Sequence, residues 1–338
     1  MTASKPEEVE TSAAEEWPEE NVQRDLFERR NWGRWGEDDQ LGALNLITAQ
    51  QRLRALEAVR TGEALSLSRP VPTRLGSGNV NPSQHFLKMS HHGGDNSSPR
   101  ETGAVGGSGT DYFGLPYHGV NTTHIDALSH VWDRDGMYNG RSSDEHYTFD
   151  GVTFGGIQHW SSGIFTRAVL LDVPAFRGTE YVDHDSPVHG WELDAIVERH
   201  GIEIAPGDAV CIYAGRERWQ AAHPDEPYGS RRLDQPGTNG RTRYAKPGLH
   251  ASCLSFLRKH DVSTLVWDML DATPYEYDVT YTVHGAIHAY GMALVDNVVL
   301  EDLAQACRDR QQDDFLVVIL PLVVEGGTGS PVNPIAVL

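Results

Sequence analysis

The second half of the chain alternates between short apolar runs and amphipathic segments. Apolar runs predict buried strands at Ala168–Val173, Asp208–Ala214, Ser263–Met269 and Phe315–Val324. Apolar residues at helical spacing predict helices at Trp191–His200, Leu249–Lys259, His284–Tyr290 and Leu300–Arg308. Strands that alternate with helices are typical of an α/β fold, so we expect a mixed, partly parallel sheet.

The first half is less regular. Thr48 is a suitable N-cap for a helix that runs to Val59, with Leu53, Leu56 and Val59 at helical spacing. Residues 72–116 are rich in Gly, Ser, Asn and Pro, which predicts long loops. Because long loops in compact domains are often functional, this region is of interest for a binding site.

The N-terminal segment is acidic and has almost no apolar pattern. Residues 1–20 hold seven glutamates and one lysine, a net charge of −6 out of −20 for the whole chain. Such a composition predicts a disordered tail over residues 1–25. No linker-like composition shift follows, so we expect one ordered domain over residues 26–338.

The overall composition excludes several classes of partner. The chain has 48 acidic and 28 basic residues, so clustered basic patches for nucleic acid or an anionic membrane are not expected. No apolar run is long enough to cross a bilayer, and the N-terminus shows no secretory pattern. Cys211, Cys253 and Cys307 lie far apart without a CxxC motif, which favours a reducing compartment. We therefore expect a cytoplasmic protein that acts on a small molecule.

The strongest chemical signal lies in residues 117–130. This segment contains His118, His124, Asp126 and His130, all at even-numbered positions, which would share one face of an extended chain. His124 and Asp126 would suit two ligands of one Zn²⁺, Mn²⁺ or Fe²⁺ ion, and His130 could carry protons. The alternative is a set of polar residues in a hydrogen-bonded loop.

A second group of such residues lies near the C-terminus. His284 and His288 are four residues apart and would share a helix face, and Asp296 follows in the next element. A histidine of this pair and Asp296 would supply ligands for a second ion or complete the first site, whereas His288 by itself fits a satisfied core or surface histidine better. Asp268 and Asp271 flank the end of a strand, where either a site role or turn chemistry is possible.

Other catalytic patterns find no support in the sequence. The glycines at 106–109 and 326–329 match neither phosphate-binding motif, and no GxSxG motif occurs. Aromatic residues that either face an aromatic substrate or fill the core are Tyr112, Phe113, Trp132 and Trp160.

The segment from His124 to His130, HIDALSH, resembles the HxDxxxH signature of the cyclase family of metal-dependent hydrolases. That family includes bacterial kynurenine formamidases and isatin hydrolases. The resemblance extends over residues 30–338. Further segments that resemble the family in the expected order are Trp32–Asn45, Thr166–Asp172, Pro206–Asp208, Gly248–Leu249 and Thr328–Pro334.

The resemblance implies a swivelling β/β/α fold and hydrolysis of an amide, lactam or ester carbonyl by a metal-activated water. By position, His124 and Asp126 would be metal ligands, and His130 would be the general acid and base. His284 and Asp296 would match a second-site histidine and glutamate. The resemblance also implies one or two Zn²⁺ or Mn²⁺ ions per chain and a homo-oligomer, either a dimer or a tetramer.

One position departs from the family pattern. The signature HxGTHxD places a ligand histidine four residues before the second histidine, where this chain has Val120. The upstream histidine is His118, six residues before His124, and a longer loop would let it become a ligand. We expect a metal-dependent hydrolase of a small, neutral, cyclic or aromatic substrate. The alternatives are a lyase or cyclase of secondary metabolism, or a catalytically impaired binding protein of the same fold.

Overall fold

A nine-stranded mixed sheet forms the centre of the structure, a computed structural model that describes residues 17–76, 78–91, 107–234 and 243–338. The strands are β1 (Ala64–Ser66), β2 (Gln84–His91), β3 (Gly107–Gly114), β4 (His124–Asp126), β5 (Tyr147–Thr148), β6 (Gly151–Val152), β7 (Ile164–Asp172), β8 (Ala209–Tyr213), β9 (Arg231–Arg232), β10 (Tyr244–Ala245), β11 (Thr264–Trp267), β12 (Ala293–Asp296), β13 (Asp314–Ile319), β14 (Gly329–Pro331) and β15 (Ile335–Val337). The α-helices are α1 (Glu19–Gln23), α2 (Ala49–Glu57), α3 (Ser143–His146), α4 (Val173–Arg177), α5 (Gly190–His200), α6 (Arg216–Ala222), α7 (Cys253–Lys259), α8 (Ala286–Tyr290) and α9 (Glu301–Arg310).

The central strands of the large sheet are parallel and its flanks are antiparallel. The strand order is β1-β15-β13-β7-β8-β11-β12-β4-β14. Strands β7, β8, β11 and β12 are parallel neighbours, whereas β4 pairs with β12 and β14 in the antiparallel sense. The prediction of an α/β fold with a partly parallel sheet is confirmed.

The parallel strands are mostly apolar because both faces of the sheet are covered. Alternate residues of each strand point into two separate cores. One core includes Leu193 of α5, Leu254 of α7 and Leu294 of β12. The other includes Val295 of β12 and Leu303 of α9. At about 25 cal/mol per Å² of buried apolar area, these two cores supply the main stabilisation of the sheet.

Helix α2, strand β13 and the segment of residues 72–116 differ in detail from the sequence predictions. Helix α2 forms where predicted and Thr48 caps it, but Leu53 and Leu56 are exposed and Ala55 is buried. Small side chains let α2 pack closely against the sheet. Strand β13 ends at Ile319 rather than Val324, before Pro321, which cannot donate to a ladder.

The third difference is a hairpin within the segment predicted as loops. Strands β2 and β3 pair with each other over eight positions and not with the large sheet. Both strands carry exposed residues on each side, so they lack the alternation that marks a half-buried strand. The predicted loop segment also includes residues 77 and 92–106, which lie outside the described residues.

The prediction of a disordered tail over residues 1–25 fails at its C-terminal end. Residues 17–25 form helix α1 and the start of a π-helix, Arg24–Glu28. Val22 and Asp25 are buried there, so the prediction of disorder is wrong for this part. Residues 1–16 lie outside the described residues. In the described ranges, no helix has the length and apolar character needed to cross a membrane.

The connection that leads into β12 is held by a close contact between two glycines. Gly42 has a φ of 58°, and a Cβ atom at this position would lie 2.2 Å from the carbonyl oxygen of Gly291. The backbone N–H of Ala43 donates to that same oxygen over 2.7 Å. Only a residue without a side chain allows this approach, which fixes the turn between α8 and β12.

We expect Gly42→Ala to lower the free energy of unfolding by about 2 kcal/mol more than Gly62→Ala does. Gly62 also has a positive φ, 78°, but a Cβ atom at this position would have no neighbour within 4 Å. The control variant Gly62→Ala therefore has the strain of a positive φ without the steric clash. Urea unfolding of both variants checks the difference, and equal destabilisation would show that the contact is not tight.

Candidate metal centre

The strand register places three candidate ligands together on one face of the sheet. In the antiparallel pair of β4 and β12, His124 lies directly opposite Asp296, and Asp126 lies two residues further along β4. Residues opposite each other, and residues two apart, project from the same face. His124, Asp126 and Asp296 are all buried there.

The carboxylate of Asp126 is the centre of the site. Its side chain is fully buried, and none of the described residues forms a well-aligned hydrogen bond with either oxygen. Four imidazoles nevertheless surround it. The imidazole nitrogens lie 3.0 Å (His118 Nδ1), 3.4 Å (His124 Nε2) and 3.7 Å (His130 Nε2) from Oδ1, and 3.9 Å (His284 Nε2) from Oδ2. A buried carboxylate without hydrogen bonds requires a compensating positive charge.

The ring of His124 is oriented for ligation through Nε2. Its Nδ1 donates to the carbonyl oxygen of Thr122 over 2.8 Å, which turns Nε2 toward the carboxylates of Asp126 and Asp296. Burial opposes a charged imidazole, but Asp126 and Asp296 outweigh it and raise the pKa of His124 to about 9. The surroundings therefore favour a positive charge at this position.

His284 lies between two carboxylates. Its Nδ1 forms a hydrogen bond with Asp271, and its Nε2 lies 3.1 Å from Oδ2 of Asp296. The other oxygen of Asp296 accepts a hydrogen bond from Trp267 Nε1 over 2.5 Å. Burial would raise the pKa of Asp271, but His284 outweighs it and holds that pKa below its usual range. Asp271 thus orients His284 as an outer carboxylate orients a metal-binding histidine.

His118 and His130 stack on each other at the open side of the site. Their ring centroids are 4.0 Å apart and the planes are nearly parallel. Burial, together with the neighbouring His118 and His284, lowers the pKa of His130 to about 4, despite the opposing effect of Asp126. At neutral pH the ring of His130 is therefore uncharged and can accept a proton.

Strand β14, which pairs with β4, makes room for His118. Gly329 pairs with Asp126, and a Cβ at this glycine would lie 2.9 Å from Cε1 of His118. The hydroxyl of Thr328 lies 3.1 Å from Nε2 of His118, and Tyr117 donates to the carbonyl oxygen of Gly329. A threonine followed by a glycine at this position thus supports the ring that reaches Asp126.

These donors fit a divalent cation. Two sets of ligand atoms, each within 4.8 Å of one another, share Asp126: one adds His118 and His130, and the other adds His124 and Asp296. Imidazole nitrogens with carboxylate oxygens are the ligands of Zn²⁺ and Mn²⁺ sites in proteins. The orphaned oxygens of Asp126 agree with such an ion.

Comparison with known proteins identifies the family of this chain. A family model described as "Putative cyclase" matches residues 67–273, which include His118, His124, Asp126 and His130. The chain belongs to this cyclase family.

Solved structures agree with the cyclase-family fold. A crystal structure described as a novel cyclase gives a TM-score of 0.75 at 24% identity, over 91% of this chain and 99% of its own. Isatin hydrolase A from Ralstonia solanacearum gives a TM-score of 0.52 at 19% identity, over 86% of this chain and 97% of its own. Isatin hydrolase A from Labrenzia aggregata, bound to benzyl benzoate, gives a TM-score of 0.51 at 17% identity, over 86% of this chain and 98% of its own. No curated protein matches the chain.

The structure brings together all six residues that the sequence singled out for the site. Asp271, for which two interpretations were open, lies in the site, whereas Asp268 accepts backbone hydrogen bonds from residues 214–216. Trp267, which holds Asp296, was missed because nothing in its local sequence distinguishes it from a core tryptophan. The aromatic candidates divide: Trp132 lines a cavity, Trp160 is buried, and Tyr112 and Phe113 are exposed on the hairpin.

His288 of this cyclase-family chain lies apart from the site. It is fully buried, and neither ring nitrogen has a hydrogen-bond partner among the described residues. Burial lowers the pKa of His288 to about 4, assisted by Arg30 and opposed by Asp133. The expectation of a satisfied core histidine is thus correct for its burial and wrong for its hydrogen bonding.

This burial predicts an acid-sensitive contribution to stability. In the unfolded chain a histidine titrates near 6.5, so the unfolded state binds the proton first and stability falls as the pH drops below that value. Between about pH 8 and about pH 5, His288 should account for a loss of about 2 kcal/mol. Urea unfolding of chelator-treated His288→Leu should lack that part of the loss.

The exposed His159 provides the control for this comparison. The variant His159→Leu should keep the full pH dependence of the parent. If His288→Leu also keeps it, the buried imidazole is not the source.

Proposed function

We propose that this cyclase-family chain is a metal-dependent hydrolase of an amide, lactam or lactone in a small cyclic or aromatic substrate. The observation that carries the proposal is the fully buried carboxylate of Asp126, which has four imidazoles around it and no well-aligned hydrogen bond from any described residue. His118, His124, Asp126, His284 and Asp296 would hold one or two Zn²⁺ or Mn²⁺ ions. Bound there, a divalent cation would polarise the carbonyl and lower the pKa of water.

His130 is the residue that we assign to proton transfer. Its imidazole is uncharged at neutral pH, and its Nε2 lies 3.7 Å from Asp126, next to the ligands. It would take a proton from water at Nε2 and return it to the leaving nitrogen or oxygen, a general base followed by a general acid. Stacking against His118 keeps the ring in place.

A cavity of about 610 Å³ beside the centre would hold the substrate. Trp132 and Tyr281 line it. The ring centroid of Tyr281 is 6.1 Å from that of His284, and Trp132 follows His130 by two residues and packs against Tyr147. Aromatic walls favour a flat, ring-containing substrate. The other lining residues are Asp133, Arg134, Asp278, Val279 and Thr280.

The relatives support hydrolysis as the reaction class. Two of the solved structures with this fold are named isatin hydrolases. A homo-oligomer, a cytoplasmic location and a single domain over residues 26–338 stay predictions.

We expect removal of metal to abolish hydrolysis. Treatment with a strong chelator should reduce turnover of aryl probes (isatin, phthalide and formanilide) by at least about 100-fold, because the carbonyl is no longer polarised. Activity should return when Zn²⁺ or Mn²⁺ is added. Full activity in protein shown by elemental analysis to contain no metal would contradict the proposal.

Labelled water distinguishes hydrolysis from a lyase or cyclase reaction. In ¹⁸O water, mass spectrometry of the product should show one labelled oxygen per bond cleaved. A product without label would point to elimination or ring closure instead.

Variants of the two stacked histidines distinguish a metal ligand from a proton-transfer residue. His118→Ala should weaken metal binding about 10-fold or more, because it removes a ligand. His130→Ala should keep its metal content and lose about 100-fold or more in turnover, the usual contribution of a general base. Metal analysis and kinetics of both variants check this, and loss of metal in His130→Ala would make His130 a ligand.

A further inference from the structure

The loop between His118 and His124 is two residues longer than the family signature allows, yet His118 Nδ1 still reaches Asp126 at 3.0 Å. Something must therefore fix the path of residues 119–123. The contacts of this loop identify two buried side chains, Arg216 and Asn297.

Arg216 holds the middle of the loop. Its guanidinium donates to the carbonyl oxygen of Val120, the residue at the position of the missing ligand, and to Oδ1 of Asn297 over 2.6 Å. A third bond joins it to the carbonyl oxygen of Asp268 over 3.3 Å. Within the described part of the chain, no side-chain carboxylate pairs with this guanidinium. Its donors are therefore directed at neutral oxygens that define the loop.

Asn297 holds both ends of the loop. Its Nδ2 donates to the carbonyl oxygens of Gly119 over 2.7 Å and Thr122 over 3.1 Å. The carbonyl oxygen of Thr122 also accepts from Nδ1 of His124, so one oxygen links Asn297 to a candidate ligand. Asn297 directly follows Asp296 and has a φ of 59°, a conformation that asparagine tolerates better than most residues.

The base of this arrangement is fixed by Asp268. Its carboxylate accepts the backbone N–H groups of Ala214, Gly215 and Arg216 over 2.9, 2.9 and 3.0 Å. These bonds set the start of α6, from which the side chain of Arg216 extends. Asp268 therefore serves the site indirectly, although it touches no candidate ligand.

We infer that Arg216 and Asn297 are positioning residues that make the long loop deliver His118 and His124 to the metal centre. The inference rests on the proposed metal site. In this arrangement the hydrogen bonds to residues 119, 120 and 122 replace the constraint that the shorter loop of the family signature would impose. Neither side chain forms a hydrogen bond with a candidate metal ligand.

The test is metal binding by the full-length protein after chelator treatment. Asn297→Gly removes the amide but tolerates the positive φ. We expect its dissociation constant for Co²⁺, measured by calorimetry, to rise about 10- to 100-fold, the usual effect of losing a residue that orients ligands. The visible absorption spectrum of the Co²⁺ form should also change, because the ligand geometry changes.

Asn139 provides a matched control. It also has a positive φ, 58°, and its Nδ2 also donates to two carbonyl oxygens, those of Gly36 and Glu37, away from the site. Asn139→Gly should bind Co²⁺ within about threefold of the parent and show the parent's spectrum. Equal affinity and spectrum in folded Asn297→Gly would overturn the inference.

A second variant covers the case in which Asn297→Gly does not fold. Asn297→Asp keeps the shape of the side chain but replaces two donors with a carboxylate oxygen that repels the carbonyls. Added negative charge alone would tighten cation binding, so weaker binding in this variant supports the loss of loop position, and tighter binding contradicts it. If the parent protein itself binds no Co²⁺, the proposed metal site is wrong and the inference falls with it. If the parent binds Co²⁺ and Asn297→Gly binds it equally well, only the inference is wrong.

Discussion

The buried carboxylate of Asp126 is the constraint on which the site depends. A charged group without exposure or hydrogen bonds is costly unless positive charge surrounds it. The imidazoles of His124 and His284, whose pKa values the neighbouring carboxylates raise, meet this need in part, and a divalent cation would meet it fully. The nearby carboxylates of Asp271 and Asp296 favour a positive charge on His284, because each forms a hydrogen bond with one of its ring nitrogens.

The sheet provides the rigidity for this concentration of charge. Strand β4 lies between β12 and β14, so Asp126 has a backbone neighbour on each side. One neighbour, β12, brings Asp296 opposite His124, and the other, β14, brings Gly329 opposite Asp126. A glycine there leaves space for the ring of His118. A site built on paired strands is held more precisely than one built on loops alone.

The network of Arg216 and Asn297 shows how a departure from a sequence signature can be absorbed. A motif specifies spacing along the chain, whereas ligation requires positions in space. Two additional residues before His124 change the spacing along the chain. They leave the position of His118 in space unchanged, provided that hydrogen bonds fix the longer path. On this inference, Val120 at a ligand position is compatible with the proposed metal site.

The sequence alone determined the fold class and predicted the six candidate residues that the structure brings together around Asp126. Apolar runs predicted strands β7, β8, β11 and β13, and the spacing of His124, Asp126 and His130 predicted a common face, because both signals are local. Only the tertiary structure decided how distant segments meet: that Asp271 orients His284, that Trp267 holds Asp296, and that β2 and β3 form a separate hairpin. Those outcomes depend on strand pairing and loop closure between remote residues, which hydrophobic periodicity does not encode.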